Sequence, residues 1–258
     1  ETLPGVDLLT PDPAFIADQR RNLVALVLTH AHEDHLGAVA FLWPQLECPV
    51  YATAFTAAIL RRKLEDQGLA GRVPLHVVGL GGSLDLDPFR ISYVSVAHSI
   101  LEAHSVAIGT PAGTIVHSGD WKLDDDPRIG PRTDEDALRA LGDEGVVALM
   151  GDSTNALTEG LSGSEGALKQ SLSSLIAGAP GRVAVTLFAS NAARIQTVAE
   201  AAREQGREVV IIGRSLWRTI AAAQECGYLN DLPALLEAEE AMHLPARNTL
   251  LLLTGCQG

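Results

Sequence analysis

Cysteine is scarce: Cys48, Cys226 and Cys256 are the three in 258 residues, far apart and without a CxxC pair. So odd and dispersed a set argues against a disulfide framework and points to a reducing compartment, so a cytoplasmic location is expected. Long apolar runs are missing too. No stretch approaches the ~20 residues of a membrane span, and no basic-then-apolar leader starts at Glu1, so no membrane association is expected. Positive charge is the third shortage: 19 Lys and Arg stand against 32 Asp and Glu, a net charge of -13. Binding to phosphates normally calls for the opposite balance. The shortage is local, however. Residues 1–165 carry 11 basic and 24 acidic side chains, whereas residues 166–258 carry 8 of each. The acidity belongs to the first part, where bound cations would neutralise some of it.

With 47% hydrophobic content, the chain can bury one large core or two modest ones. Its most specific feature follows the apolar run Leu23–Leu28: Thr29-His30-Ala31-His32-Glu33-Asp34-His35. Neutral imidazole nitrogens and carboxylate oxygens are ligands for Zn²⁺ or Mn²⁺. So many donors in one turn point in different directions, too many for one ion and suited to two. His30 and His32, two residues apart, share a face of an extended segment. Asp34 and His35 lie beyond the bend, where Leu36–Leu42 starts a helix, and fall to a second ion. A turn that merely caps a strand is the competing reading, but HxHxDH after a strand is too specific for it. Two further strand ends supply the remaining ligands. Arg90–Ala97 delivers His98, completing a three-His set, and Thr114–Gly119 delivers Asp120, placed to bridge both ions. His76, His104 and His243 are read as structural, and His117 is left outside the ligand set. Asp124–Asp126 and Asp134–Asp136 read as solvated surface and a helix start.

Up to about Asn155 the pattern is short strands between Gly, Pro and Asp turns, at Pro49–Thr53 and Val73–Val78, with helical signals at Ala54–Glu65 and Asp134–Leu141. This suits an αββα sandwich with metals at one sheet edge. The Gly/Ser-rich segment Gly160–Ser164 marks the boundary, dividing the chain into residues 1–160 and 161–258. Beyond it, strands at Arg182–Phe188, Glu208–Ile212 and Thr249–Leu253 alternate with helices at Ala192–Glu204 and Leu216–Cys226, the rhythm of a parallel α/β sheet. Ligands of such sheets sit at the carboxyl ends of strands. There, Ser190-Asn191 precedes the helix bearing Arg194, and Gly213-Arg214-Ser215 precedes the helix bearing Arg218. Helix N-terminal amides beside a guanidinium suit a phosphate. Ordinary N-caps and surface arginines are the open alternative.

The series His30–His35, Ala97-His98-Ser99, His117–Asp120, Gly151–Ala156, Phe188–Asn191, Val210–Ser215 and Thr254–Gly258 resembles the metallo-β-lactamase superfamily and, within it, the β-CASP nucleases of the ribonuclease J type. The resemblance covers nearly the whole chain. It implies a metallo-β-lactamase αββα sandwich carrying an inserted, partial β-CASP α/β domain. It also implies that an N-terminal hairpin and a C-terminal portion with a further His ligand lie outside these 258 residues. Asp152 matches the acidic residue such enzymes carry near the metal centre, expected to orient an imidazole after the buried-looking strand Val146–Met150. Ser153 and Asn155 beside it are candidate phosphate contacts. The expected chemistry is two-metal phosphodiester hydrolysis, with Asp34, Asp120 and Asp152 in catalytic roles and Zn²⁺, or alternatively Mn²⁺, as the ions. The implied substrate is single-stranded RNA, cut internally or from a 5′ end, in RNA maturation and decay, by a protein that can be a homo-oligomer. A small-molecule metallo-hydrolase, a DNA-directed nuclease and a non-catalytic RNA-binding relative remain as alternatives.

Overall fold

The computed structural model describes residues 9–255; Cys256, Gln257 and Gly258, with which the last quoted motif closes, lie outside the described residues. Among the described residues the strands form three sheets. The first is parallel, β1 (Leu26–Val27), β2 (Val50–Ala52) and β3 (Leu75–Val77), in that order. Four helices belong to this part: α1 (Ala14–Ala17), α2 (Glu33–Leu36), α3 (Val39–Leu46) and α4 (Ala54–Asp66).

The second sheet has the order β4 (Ser83–Leu86), β5 (Phe89–Ser95), β6 (His104–Thr110), β7 (Gly113–His117) and β8 (Ala148–Met150). Its first four strands are antiparallel hairpin neighbours, whereas β8 arrives after α5 (Glu135–Glu144) and pairs parallel to β7. The two sheets pack face to face through Val78, Ile91, Tyr93 and Val106, with Val27, Tyr51 and Leu84 around them. That is the inner ββ layer of the expected sandwich.

The third sheet is wholly parallel, in the order β11 (Leu235–Leu236), β10 (Glu208–Ile212), β12 (Thr249–Thr254) and β9 (Val183–Leu187). It carries α6 (Leu168–Gly178), α7 (Ala192–Glu204) and α8 (Arg214–Glu225). Alanines at 199, 201, 202, 222 and 223, all buried, let α7 and α8 lie close to their neighbours. Phe55, Leu60 and Leu64 of α4 join Ile195, Leu216, Ile220, Leu250 and Leu252 in one continuous core. Each such side chain contributes about 1.5–3 kcal/mol by leaving water. This shared core holds the carboxyl ends of β9 and β10 beside α4.

Glu102 reinforces that junction. It is buried with φ 57°, and its carboxylate accepts from the Phe55 amide at 2.7 Å and the Tyr228 hydroxyl at 3.1 Å. The negative charge thus satisfies the N-terminus of α4, where Thr53 makes no side-chain cap.

Three expectations need correction. Asp124, read with its neighbours as solvated surface, is buried and accepts from Lys122 at 2.7 Å. Within Val146–Met150, read as a buried strand, only Ala148–Met150 forms β8, an edge strand whose residues are exposed; Leu149 keeps 69% of its surface in solvent. An apolar run cannot reveal whether anything packs over it, and α5 has no buried residue. Helix α6 was not foreseen, because its serines favour caps and turns over helix interiors. It is held at its end by buried Arg207, which donates to the carbonyls of Ile176 and Ala179. Among the described residues, no helix is long and apolar enough to cross a membrane.

Candidate metal centre

The centre forms where β1 ends. His30 is fully buried, and its Nδ1 lies 3.0 Å from the Thr29 hydroxyl, leaving Nε2 turned inward. His32 sits at the N-cap of the one-turn helix α2, which then projects Asp34 and His35. A separate bridge between Ala97 and Lys122, with the Lys122 amide donating to Ala97 at 2.8 Å, draws two loops together and brings His98 beside Asp120. Gly119 makes the turn possible. Its φ is 58°, and a Cβ there would stand 2.9 Å from the His104 carbonyl.

The six expected ligands converge. Ligand atoms of His30, His32, His98 and Asp120 all lie within 4.8 Å of one another, and so do those of Asp34, His35 and Asp120. Asp120 belongs to both sets: its Oδ2 is 3.9 Å from His30 Nε2 and 3.7 Å from His98 Nε2, and its Oδ1 is 3.3 Å from His35 Nε2. His35 Nε2 is also 3.4 Å from Asp34 Oδ2, and His98 Nε2 is 3.0 Å from His32 Nδ1.

Burial, and then the neighbouring imidazoles, push His30 down to about 2. Burial pushes His32 and His98 down to about 4. These rings are therefore neutral at pH 7 and offer lone pairs. His30 Nε2 is buried and has no hydrogen-bond partner among the described residues. Such an orphan is rare, because an unpaired buried polar atom costs about 1–3 kcal/mol. His104 shows the ordinary solution, with Nδ1 2.7 Å from the Glu102 carbonyl and Nε2 3.2 Å from the Ser95 hydroxyl. Neutral imidazoles and carboxylates facing one another around an orphaned nitrogen fit divalent cations. His76 stacks on Tyr51 and His243 is exposed, whereas His117, left out of the ligand set, has its Nδ1 buried and unpaired among the described residues.

The outer residues are placed differently. The Asp152 carboxylate accepts from the Thr154 amide and hydroxyl at 2.9 and 2.7 Å, which holds it below the usual carboxylate range. Among the described residues it hydrogen-bonds no imidazole. Ser153 and Asn155 are exposed in the following turn. Asn191 is the N-cap of α7, accepting from the Arg194 amide at 2.9 Å. The Arg194 guanidinium is clamped on buried Glu165 at 2.7 and 3.0 Å. Ser190 is therefore not the cap of its helix, and Ser215 lies inside α8, whose cap position is Gly213. Ser190 and Ser215 line a cavity of about 500 Å³ that reaches His32 and Asp34, and Arg214 lines a neighbouring one of about 580 Å³.

Three polar cavity residues were not foreseen: Lys63 and Arg62 on α4, and Thr219 on α8. Arg62 and Lys63 are distant in sequence from any motif, whereas Thr219 directly follows Arg218; the packing of α4 on α8 brings all three to one cavity. Phe188 was quoted only as part of a motif. Its position at the end of β9 was the available signal.

Residues 3–139 match the family model described as beta-lactamase superfamily domain, and residues 180–258 match the one described as ribonuclease J, beta-CASP domain. The chain belongs to the beta-lactamase superfamily. Within it, residues 180–258 are similar to the β-CASP domain of ribonuclease J. The chain is 47% identical to ribonuclease J of Sinorhizobium meliloti over 99% of its length and 45% of that protein. It is 42% identical to ribonuclease J of Mycolicibacterium smegmatis, over 99% of its length and 46% of that protein, and 40% identical to that of Thermus thermophilus, over all of its length and 46% of that protein. The chain thus spans about half the length of the curated relatives it matches. In fold it is similar to a solved protein of unknown function from Enterococcus faecalis, with a TM-score of 0.58, 16% identity, and 90% of this chain and 59% of that one covered.

Proposed function

We propose that this chain carries the metal centre and part of the RNA-binding cleft of a ribonuclease J-like hydrolase, which cuts RNA phosphodiester bonds internally, from a 5′ end, or both, in RNA maturation and decay. The observation that carries this reading is the pair of donor sets that share Asp120 at the rim of a cleft. His30, His32, His98 and Asp120 hold one cation; Asp34, His35 and Asp120 hold the other. Zn²⁺ suits the nitrogen-rich first set, and Mn²⁺ is the alternative. When bound, such a pair supplies Lewis acidity and an activated nucleophile for attack at phosphorus. Burial keeps His30, His32 and His98 unprotonated. His35, between Asp34 and Asp120, fixes the two carboxylates relative to each other. Asp152, whose negative charge acts on His98, influences the same centre from outside. Ser153, Asn155, Ser190, Arg214 and Ser215 face the RNA strand, whereas Asn191 and Arg194, expected beside them, are engaged by the cap of α7 and by Glu165.

The division into a metal-binding part, residues 1–160, and a β-CASP part, residues 161–258, is supported by the change from mixed to wholly parallel sheet between β8 and β9. We also propose a cytoplasmic location and a homo-oligomeric state for the whole protein. The ribonuclease J relatives and the β-CASP match weigh against a thioesterase or lactonase.

The test is cleavage of matched single-stranded RNA and DNA, and of a thioester, by the full-length protein with Zn²⁺ or Mn²⁺. RNA turnover that Asp120→Asn lowers by about 10³-fold or more, with the circular dichroism unchanged, is the expected result. Turnover of the thioester alone, or full activity of the variant, refutes the proposal.

A further inference from the structure

The segment that follows His98 runs straight into the core. Ile100, Leu101, Glu102 and Ala103 are all buried, and the Val96 amide donates to the Ala103 carbonyl at 3.0 Å, closing the segment into a loop. Glu102 is the one charged side chain of that loop. A carboxylate is kept in such a place only where donors hold it. Its backbone, at φ 57°, is in the left-handed region, which a residue with a Cβ adopts only when its surroundings impose it.

Three elements meet at this residue. The carboxylate receives the Phe55 amide at the start of α4, at 2.7 Å, and the Tyr228 hydroxyl just beyond α8, at 3.1 Å. Burial, and then the Glu102 charge, push the Tyr228 hydroxyl up, so it stays protonated and donates. The Glu102 carbonyl lies 2.7 Å from His104 Nδ1 on β6; since a carbonyl only accepts, the His104 proton sits on Nδ1. From there the His104 amide donates to the Thr29 carbonyl at 3.1 Å, and the Thr29 hydroxyl lies 3.0 Å from His30 Nδ1. The His104 carbonyl abuts Gly119, the neighbour of Asp120. Glu102 thus connects to His98 through its own loop, and to His30 and Asp120 through His104.

We propose that Glu102 is a positioning residue for the first cation: anchored on α4 and Tyr228, it fixes the loop that presents His98 and the end of β6 that supports His30. The proposal rests on the two-cation reading of the centre. Among the described residues Glu102 hydrogen-bonds none of the six donors, so its effect passes through the backbone. Ligand distances tolerate only about 0.2 Å, so slack in this loop lowers affinity. Asp34 and His35 hang from α2 instead, and the second cation should feel the change less. Metal affinity in the first part of the chain then depends on Tyr228, a residue of the second.

The test is chelator-competition titration of Zn²⁺ into the metal-free full-length protein, read as two successive dissociation constants. The step that His98→Ala weakens marks the first cation. Glu102→Ala is expected to raise that constant about tenfold and to leave the other within about twofold. Glu102→Gln keeps the shape and an oxygen for the Phe55 amide, and should stay within about threefold of the wild type. Glu102→Asp keeps the charge but loses the reach, and Tyr228→Phe loses one of the two anchors; each should raise the first constant about threefold or more. A purely structural role would lower the melting temperature of the metal-free variants while leaving both constants unchanged, or would weaken both equally, and either result overturns the proposal. So does a loss in Glu102→Gln as large as that in Glu102→Ala, which would make charge rather than geometry responsible. If Glu102→Ala does not fold, Glu102→Asp and Tyr228→Phe decide, and unchanged constants in both overturn the proposal. A wild type that holds no cation overturns the metal reading itself, and the proposal with it.

Discussion

Two clusters of polar side chains, both packed beside the same cleft, solve opposite problems. Around His30, imidazoles and carboxylates point at one another with lone pairs on both sides, and a buried nitrogen has no partner. Around Glu165, donors and acceptors alternate. Arg194 and Asn191 donate to Glu165, the Glu165 amide donates to Asp124, and Lys122 donates to Asp124 at 2.7 Å. The second cluster is complete within the chain, whereas the first is a set of acceptors that only added positive charge can complete. Local completeness therefore separates a cluster that holds the fold from one that holds a ligand, although both are partly buried and both are rich in titratable groups.

The sharpest way to break the contrast is His98→Ala. Turnover of RNA should fall by at least about 10³-fold. Metal at about 100 times its Kd should stabilise the wild type by about 2.7 kcal/mol and the variant by much less, read from thermal melts with and without chelator. Equal melting shifts would show that His98 holds no cation. In the complete cluster the expected loss is structural instead. Glu165→Gln should cost about 2–3 kcal/mol in urea unfolding, irrespective of metal, because it leaves Arg194 without its counter-charge.

Acid titration sharpens the same difference. Burial pushes the Asp124 carboxyl up, but hydrogen bonds from Lys122, Ser164 and the amides of Glu165 and Asp126 outweigh it and hold the group at about 2. A carboxyl depressed in the folded state stabilises the fold above its ordinary value near 4, and that contribution disappears as pH falls towards 2. Stability should therefore drop by roughly 2 kcal/mol across that window, and Asp124→Asn should flatten this part of the profile. An unchanged slope would mean that Asp124 titrates normally. The smallest expected effect is Asp66→Asn, which frees half-exposed Arg218 and should shift stability by less than about 1 kcal/mol.

Much of this was legible in the chain. Helix α7 is marked over its full observed length, because its apolar residues recur at helical spacing and Asn191 supplies a cap. β10 likewise has the expected bounds. The HxHxDH run located the converging donor cluster, since few other arrangements demand that density of ligands. Other elements were hidden. β1 is only two residues long, though the apolar run around it is longer. Apolar character reports burial of a side chain, whereas strand length depends on where a neighbouring strand offers hydrogen bonds. Glu165 lies in a Gly/Ser-rich stretch that reads as linker, and nothing near it predicts that Arg194 and Asn191 converge on it.

The amino-acid sequence alone determined which atoms are available for chemistry: the ligand types, their grouping at strand ends, and the alternation that yields a parallel sheet. These follow from local spacing, because residues two or four apart share a face once the backbone is extended or helical. Tertiary structure decided which of the charged groups remain free. Whether a guanidinium meets substrate or a carboxylate depends on partners tens to hundreds of residues away, as Arg194 with Glu165 and Arg218 with Asp66 demonstrate. That pairing is a property of packed helices, and no periodicity in a single segment encodes it.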